Sequence, residues 1–182
     1  MSRAESPAMN NNTETPWITD VRQICLAVED LEETIRSYYD QAGIGPWAVW
    51  TPKLTHTKLR GKAQTFSLKI AMAWTKGFMW EVVQPLEGPS VFREFLDKNG
   101  DGVHHVLVDT RNQTFDEILA EATARGLPPV MEGSWEGTDF AFLQTEGPLK
   151  TTLEVLRRSP SFKGRPPPDY CYPFPPPEVA GA

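Results

Sequence analysis

The sequence predicts an α+β fold made of two successive βαβββ modules, with the helices on one face of an open sheet and a polar cleft on the other. Two observations support this prediction. Each half of the chain begins with a strand-like run followed by a helical stretch, and each half ends with the pattern apolar-Glu-apolar-apolar. In these runs, bulky apolar residues alternate with polar residues, so the two kinds of side chain occupy opposite faces of a strand.

Module one is predicted to span residues 17–100. Its first helix begins after Asp30, with Glu33 completing a capping box, and ends near Gly43. The elements predicted for this module are a strand at 20–28, a helix at 31–42, strands at 46–52, 64–74 and 78–84, and a helix at 89–98. Residues 75–77 are predicted to form a hairpin turn, and residues 53–63 a polar loop.

Module two is predicted to span residues 101–158 and to repeat the same order of elements. Those elements are a strand at 103–109, a helix at 113–125, and strands near 129–134, 138–144 and 150–157. Residues 1–16 are expected to form a flexible leader. Residues 159–182 form a Pro-rich tail that cannot be helix or central strand, so an extended conformation is expected. Three aromatic residues of the tail predict that it packs on the domain or on a partner subunit: Tyr170, Tyr172 and Phe174.

The composition is that of an ordinary globular protein, with 40% hydrophobic and 23% charged residues among 182. The net charge of −6 argues against nucleic-acid binding. The sequence contains no run of about 18 apolar residues, so no membrane span is predicted, and the N-terminus lacks the apolar core of a signal peptide. The two cysteines, Cys25 and Cys171, are too few for a disulfide framework. A cytoplasmic protein with free thiols is therefore expected.

Strand alternation places four potential metal ligands on the polar faces of their strands: Gln23, Glu81, His105 and Glu154. A single Glu or Gln on a strand is more often a solvated residue, and a buried His is more often a hydrogen-bonded core residue. Here, however, each module offers one nitrogen or oxygen ligand early and one carboxylate late. Four such groups suit a hard or borderline divalent metal, so the sequence predicts a metal site.

These segments resemble the vicinal oxygen chelate superfamily, which includes glyoxalase I, methylmalonyl-CoA epimerase, extradiol dioxygenases and bleomycin-resistance proteins. The similarity covers about residues 18–157 and is carried by Ala27–Glu32, by Gly102–Val106 and by the two Glu-containing strands. It implies a vicinal oxygen chelate domain over 17–158, in which a U-shaped mixed sheet surrounds one divalent ion (Zn, Co, Ni, Mn or Fe), and a homodimer. The ligand positions that the resemblance implies are Gln23, Glu81, His105 and Glu154.

The sequence also departs from individual members of that superfamily. Gln23 stands where many members have His, which disfavours an extradiol dioxygenase because such enzymes use two His and one carboxylate. Gln at this position resembles the eukaryotic type of glyoxalase I. However, Ala27 and Pro85 occupy positions at which glyoxalase I has an Arg and an Asn that contact glutathione. A glutathione-dependent lyase is therefore disfavoured.

The resemblance implies a metal-dependent isomerase, epimerase or lyase that acts on a small α-carbonyl compound or thioester through a metal-stabilised enolate. Glu154 is the first choice for the catalytic base and Glu81 the second, and the two could alternate in an epimerisation. Two alternatives remain open. The cleft could hold a small molecule without turning it over, as in bleomycin resistance, or a metal-free cleft could direct a cyclisation or rearrangement.

Three further residues are predicted to bind substrate. Trp47 and Trp50 could line an apolar pocket, with core packing as the alternative, and Arg60 could bind an anionic group, with a solvated loop as the alternative. His104 is expected to point toward the helices and to form a hydrogen bond in the core.

Overall fold

The structure of the protein is a computed structural model, and it describes residues 16–160 and 162–173. These residues form one eleven-stranded sheet and four helices. The helices are α1 (Leu31–Ala42), α2 (Val91–Asn99), α3 (Phe115–Ala124) and α4 (Glu146–Leu149). The strands are β1 (Ile18–Ala27), β2 (Trp47–Trp50), β3 (Thr55–Leu59), β4 (Lys62–Ala63), β5 (Ser67–Thr75), β6 (Phe78–Glu87), β7 (Gly102–Thr110), β8 (Pro129–Trp135), β9 (Thr138–Leu143), β10 (Thr152–Arg158) and β11 (Tyr170–Tyr172).

The two modules are arranged around a central antiparallel pair, β1 and β7. On one side β1 runs parallel to β6, and on the other β7 runs parallel to β10. The full order is β11-β2-β5-β6-β1-β7-β10-β9-β8-β3-β4. The first strand of each module therefore lies beside the last strand of the same module. The predicted α+β fold class, with a mixed sheet built from paired modules, is confirmed.

The helices begin and end where local chemistry predicts. The Asp30 side chain accepts a hydrogen bond from the backbone N–H of Glu33, and α1 ends at Gly43, whose φ of 67° suits a residue without Cβ. Leu31 and Ile35 of α1 are fully buried against the outer face of the module-one strands. This burial holds the helix outside the sheet and leaves the inner face to the cleft.

Residues 53–63 are not the predicted polar loop. They contain β3 and β4, and β3 crosses to module two, where it pairs antiparallel with the edge strand β8. Thr57 and Leu59 are half-buried while His56 and Lys58 are exposed, which is the alternation of a half-buried strand. The strand forms because β8 offers unpaired backbone groups, a partner that local sequence does not reveal.

The tail docks on module one in its described part. Strand β11 pairs antiparallel with β2, matching Tyr170 to Val49 and Tyr172 to Trp47. The Tyr170 hydroxyl donates a hydrogen bond to Glu32 of α1. Each module thus has its outer edge extended by a strand from a distant part of the chain. Phe174 and residues 1–15 of the predicted leader lie outside the described residues.

No helix within residues 16–160 and 162–173 is both long enough and apolar enough to cross a membrane.

We predict that truncation after Lys163 destabilises the protein, because it removes β11 and the contacts of Tyr170. A loss of even 1–2 kcal/mol would lower the melting temperature by roughly 2–8 °C in a domain of this size. Tyr170→Phe, which removes only the hydroxyl, should have a smaller effect. Thermal unfolding followed by circular dichroism measures both, and a truncated chain that melts with the full-length protein would contradict this role of the tail.

Candidate metal centre

The four predicted ligand side chains converge at the centre of the sheet. His105 Nε2 lies 3.2 Å from Glu154 Oε2 and 3.4 Å from Glu81 Oε2. Gln23 Nε2 lies 2.6 Å from Glu81 Oε2 and 3.4 Å from His105 Nε2. All four residues are buried. The structure thus brings the four positions into one cluster around a single imidazole nitrogen.

Strand order explains why residues so far apart in sequence meet. The four side chains lie on β1, β6, β7 and β10, which are consecutive in the order β6-β1-β7-β10. Cys25 of β1 is in register with Glu81 on one neighbour and with His105 on the other. Residues in register point to the same face of a sheet. The inner faces of both modules therefore contribute to the same site.

Burial and charge make His105 the electrostatic centre of the cluster. Burial by itself opposes a charge on this imidazole, but the hydrogen bonds and charges of Glu154 and Glu81 outweigh it and raise the pKa of His105 to about 9. Burial also raises the pKa of Glu154; the hydrogen bond from His105 opposes this shift, whereas the charge of Glu81 adds to it. Without a metal, the two glutamates therefore favour the protonated form of His105.

His104 has the structural role expected from strand alternation. It is buried on the helix side of β7, and its ring packs against Phe92 and Phe95 of α2. Burial, followed by repulsion from His105, lowers the pKa of His104 to about 2, so its ring is neutral. The two Nδ1 atoms of His104 and His105 lie 2.9 Å apart. This contact holds the His105 ring in the orientation in which its Nε2 faces the two glutamates.

The donor set fits a divalent metal. Ligand atoms bound to one ion at about 2.1 Å lie about 3.0–3.4 Å from one another, and the separations of 3.2 and 3.4 Å around His105 Nε2 match that range. Two carboxylates and one imidazole are ligands that Zn²⁺, Co²⁺, Ni²⁺, Mn²⁺ and Fe²⁺ accept. The Gln23 amide nitrogen donates to Glu81, and a 180° rotation of the amide group would present its oxygen instead. A bound cation would also balance two carboxylates that are buried together.

The cluster forms the polar end of an otherwise apolar cleft. Gln23, Glu81 and Glu154 line a cavity of about 90 Å³, enough for several water molecules. Its walls come from both modules and consist mainly of aliphatic and aromatic side chains, including Leu68, Ile70, Met72, Phe140 and Phe142. Such a cavity suits a small ligand with an apolar body and oxygen atoms at one end.

The structure places the three predicted substrate-binding residues in different environments. Trp47 is fully buried on the outer face, packed against Tyr38 of α1, so it is a core residue and does not face the cleft. Trp50 lies beside the cleft: its ring contacts Trp135, which lines the cavity. Arg60 is engaged by Glu94 through two hydrogen bonds of 2.8 and 2.7 Å, in a separate groove beside α2. Neither Trp47 nor Arg60 is therefore placed to contact a ligand in the cleft.

Two residues near the cluster were not predicted from the sequence. The ligand atoms of Cys25, Glu81 and His105 all lie within 4.8 Å of one another, so the thiol is a further potential metal ligand. Burial, followed by the charge and hydrogen bond of Glu81, raises the pKa of Cys25 and keeps the thiol protonated. Arg165, from the Pro-rich tail, lines the cavity. Strand parity could have indicated Cys25, which shares the face of Gln23, but no local signal indicates Arg165.

Residues 22–142 match the family described as the Glyoxalase/Bleomycin resistance protein/Dioxygenase superfamily. The chain belongs to this superfamily. Because the match covers more than half of the chain, it confirms the resemblance noted in the sequence. The matched region includes Gln23, Glu81 and His105, whereas Glu154 and Arg165 lie beyond its end. No curated protein matches the chain.

Solved structures with the same fold include a methylmalonyl-CoA epimerase from Mycobacterium tuberculosis, at 19% identity and a TM-score of 0.57, which covers 82% of this chain and 95% of its own. A hypothetical protein from Bacillus halodurans C-125 aligns at 19% identity and a TM-score of 0.58, covering 77% and 94%. A Streptomyces coelicolor methylmalonyl-CoA epimerase in complex with 2-nitronate-propionyl-CoA aligns at 19% identity and a TM-score of 0.55, covering 81% and 99%. At this identity the similarity establishes the fold.

We predict that Zn²⁺ or Co²⁺ raises the melting temperature of the metal-free protein, since a ligand that binds only the folded state stabilises it. His105→Ala should abolish that increase and reduce the metal retained after dialysis, measured by elemental analysis. His56→Asn is the matched control, because His56 is exposed on β3 and its φ of 53° suits Asn. Equal metal content in wild type and His105→Ala would contradict the site.

Proposed function

We propose that the protein is a metal-dependent isomerase or epimerase, or a lyase of related mechanism, acting on a small α-carbonyl compound or thioester. The observation that carries this proposal is the placement of two buried carboxylates, from different modules, around one imidazole nitrogen at the end of an apolar cleft. Proton transfer next to a carbonyl requires a carboxylate close to the substrate and stabilisation of the negative charge that develops on oxygen.

Gln23, Glu81, His105 and Glu154 would hold the metal. A divalent ion bound there would supply Lewis acidity that stabilises the enolate oxygen of the substrate. His105 is oriented by His104. To coordinate a metal, His105 must lose the proton that Glu81 and Glu154 stabilise on its ring. A cation that balanced the charges of the two glutamates would remove this stabilisation. The apolar walls exclude water from the reacting carbon.

Glu154 is the proposed base. Its carboxylate lines the cavity and its pKa is raised by burial, so it can take a proton more readily than an exposed carboxylate. Glu81 lines the same cavity from the other module and is the candidate for the second acid or base of an epimerisation. Gln23 cannot serve in this way, because an amide does not exchange a proton near neutral pH. The shared fold with methylmalonyl-CoA epimerases supports this class of proton transfer.

A second candidate function is metal-free binding or rearrangement of a small molecule in the same cleft. One observation favours it: without a metal, Glu81 and Glu154 raise the pKa of His105 to about 9, so the imidazole itself can supply a positive charge to the cluster. Metal content distinguishes the two candidates, because the metal-free function needs no ion. A homodimer and the cytoplasmic location remain predictions.

We predict that Glu154→Gln keeps most of the bound metal, because an amide oxygen can still coordinate, but loses α-proton exchange by at least about 100-fold. Proton NMR in D₂O measures the exchange over a panel of 2-oxo acids, α-hydroxy ketones and acyl thioesters. Glu94→Gln is the control, since Glu94 lies on α2 outside the cleft. If Glu154→Gln exchanged the proton at the wild-type rate, Glu154 would not be the base, and Glu81 would be the next residue to test.

A further inference from the structure

The tail contributes Phe162 and Arg165 to the lining of the cleft before it reaches module one. Residues 162–169, here called the strap, connect β10 of module two to β11 on the edge of module one. At one end Phe162 lies against Gly137 in the turn between β8 and β9. At the other end Trp50 Nε1 donates to the Pro166 carbonyl at 2.9 Å, and the Thr51 N–H donates to Asp169 Oδ2 at 2.7 Å. Both modules therefore hold the strap in place.

The strap carries one cationic side chain into the cleft. Arg165 lines the cavity that contains Glu81 and Glu154 and also lines an adjoining groove that contains Arg158. Its guanidinium lies over the ring of Trp74, 5.7 Å from the ring centroid. A cation at this distance is attracted by the ring face, and no hydrogen bond within residues 16–160 and 162–173 engages the guanidinium N–H groups. Arg165 is thus positioned between the metal centre and the groove.

No ion pair engages Arg165 within the described part of the chain. Arg158, which also lines the adjoining groove, lies over the ring of Phe162, with its guanidinium carbon 4.7 Å from the ring centroid. Arg165 is half-buried, and burial lowers its pKa, while the charges of Glu81 and Glu154 oppose that shift. Removing part of a guanidinium from water outside any ion pair has a free-energy cost. A partner that arrives with the substrate would remove this cost.

A metal would weaken the attraction that Glu81 and Glu154 now exert on Arg165. A divalent cation held by the cluster would offset the charges of Glu81 and Glu154. The charge of Arg165 then remains uncompensated at the mouth of an apolar cavity. An anionic substrate restores the balance, whereas a neutral one does not.

We propose that Arg165 binds an anionic group of the substrate, a carboxylate or a phosphate, at the mouth of the cleft. The position of the reacting carbonyl at the metal centre rests on the proposed function; the anion site rests on the placement of Arg165. A guanidinium accepts either group through two parallel hydrogen bonds. The apolar side chains between the cluster and the strap would hold the body of such a substrate. Arg165 comes from the Pro-rich tail, outside the two βαβββ modules, so it would add to the cleft a contact that the modules themselves do not supply.

The test compares 2-oxo dicarboxylates of five to seven carbons with 2-oxo monocarboxylates of the same length, and with analogues in which a phosphonate replaces the distal carboxylate. Isothermal calorimetry on zinc-loaded and on metal-free protein measures binding, so the result does not depend on turnover. For at least one chain length, the wild-type protein should bind the compound with a distal anion at least about 10-fold more tightly than the 2-oxo monocarboxylate of the same length. The tighter of carboxylate and phosphonate identifies the natural group.

Arg165→Gln should reduce that preference to near unity, and Arg165→Lys, which keeps the charge but loses the planar fork, should give an intermediate value. Arg93→Gln is the matched control, because Arg93 forms its ion pairs with Glu29 and Asp97 on the surface of α2. An unchanged preference in Arg165→Gln, or no preference in wild type at any chain length, would overturn the proposal. Absence of α-proton exchange with the preference intact would instead contradict the proposed function alone.

Discussion

Two glutamates buried at the end of an apolar cleft impose the constraint on which the site depends. Carboxylates removed from water require a compensating positive charge, because the desolvation cost of an unpaired charge is large. In the metal-free protein the compensation comes from His105, whose pKa rises to about 9 in response. A divalent cation would satisfy both carboxylates at once. A protonated His105 and a divalent cation would therefore be alternative sources of the same compensation.

The repeated architecture brings these groups together. Pairing of β1 with β7 at the centre places the last strand of each module on either flank, so each module contributes one carboxylate to the same imidazole. The helices bury the opposite face and so leave the inner face open to a ligand. The strap then connects the two modules, and it adds the cation Arg165 to the lining of a site whose own charges a bound metal would offset.

Local signals were sufficient for much of the fold. The cap at Asp30 and the Gly43 terminus define α1, and alternation along β1 predicts that Gln23 faces away from the helices. Features that depend on a distant partner could not be predicted in this way. Strand β3 forms only because β8 has an open edge, and Trp47 is buried by α1 although its strand pattern also fits a pocket wall. Arg165 reaches the cleft through a Pro-rich segment whose path is set by its anchors.

X-ray absorption spectroscopy at the metal edge tests the central claim most directly, because it counts the atoms bound to the ion in solution. For the zinc-loaded protein, coordination by Gln23, Glu81, His105 and Glu154 predicts nitrogen and oxygen neighbours at about 2.0–2.2 Å, including one imidazole. A sulfur neighbour at about 2.3 Å would instead place Cys25 among the ligands and contradict the proposed set. A spectrum of hydrated zinc, with no imidazole contribution, would show that the cluster does not bind metal.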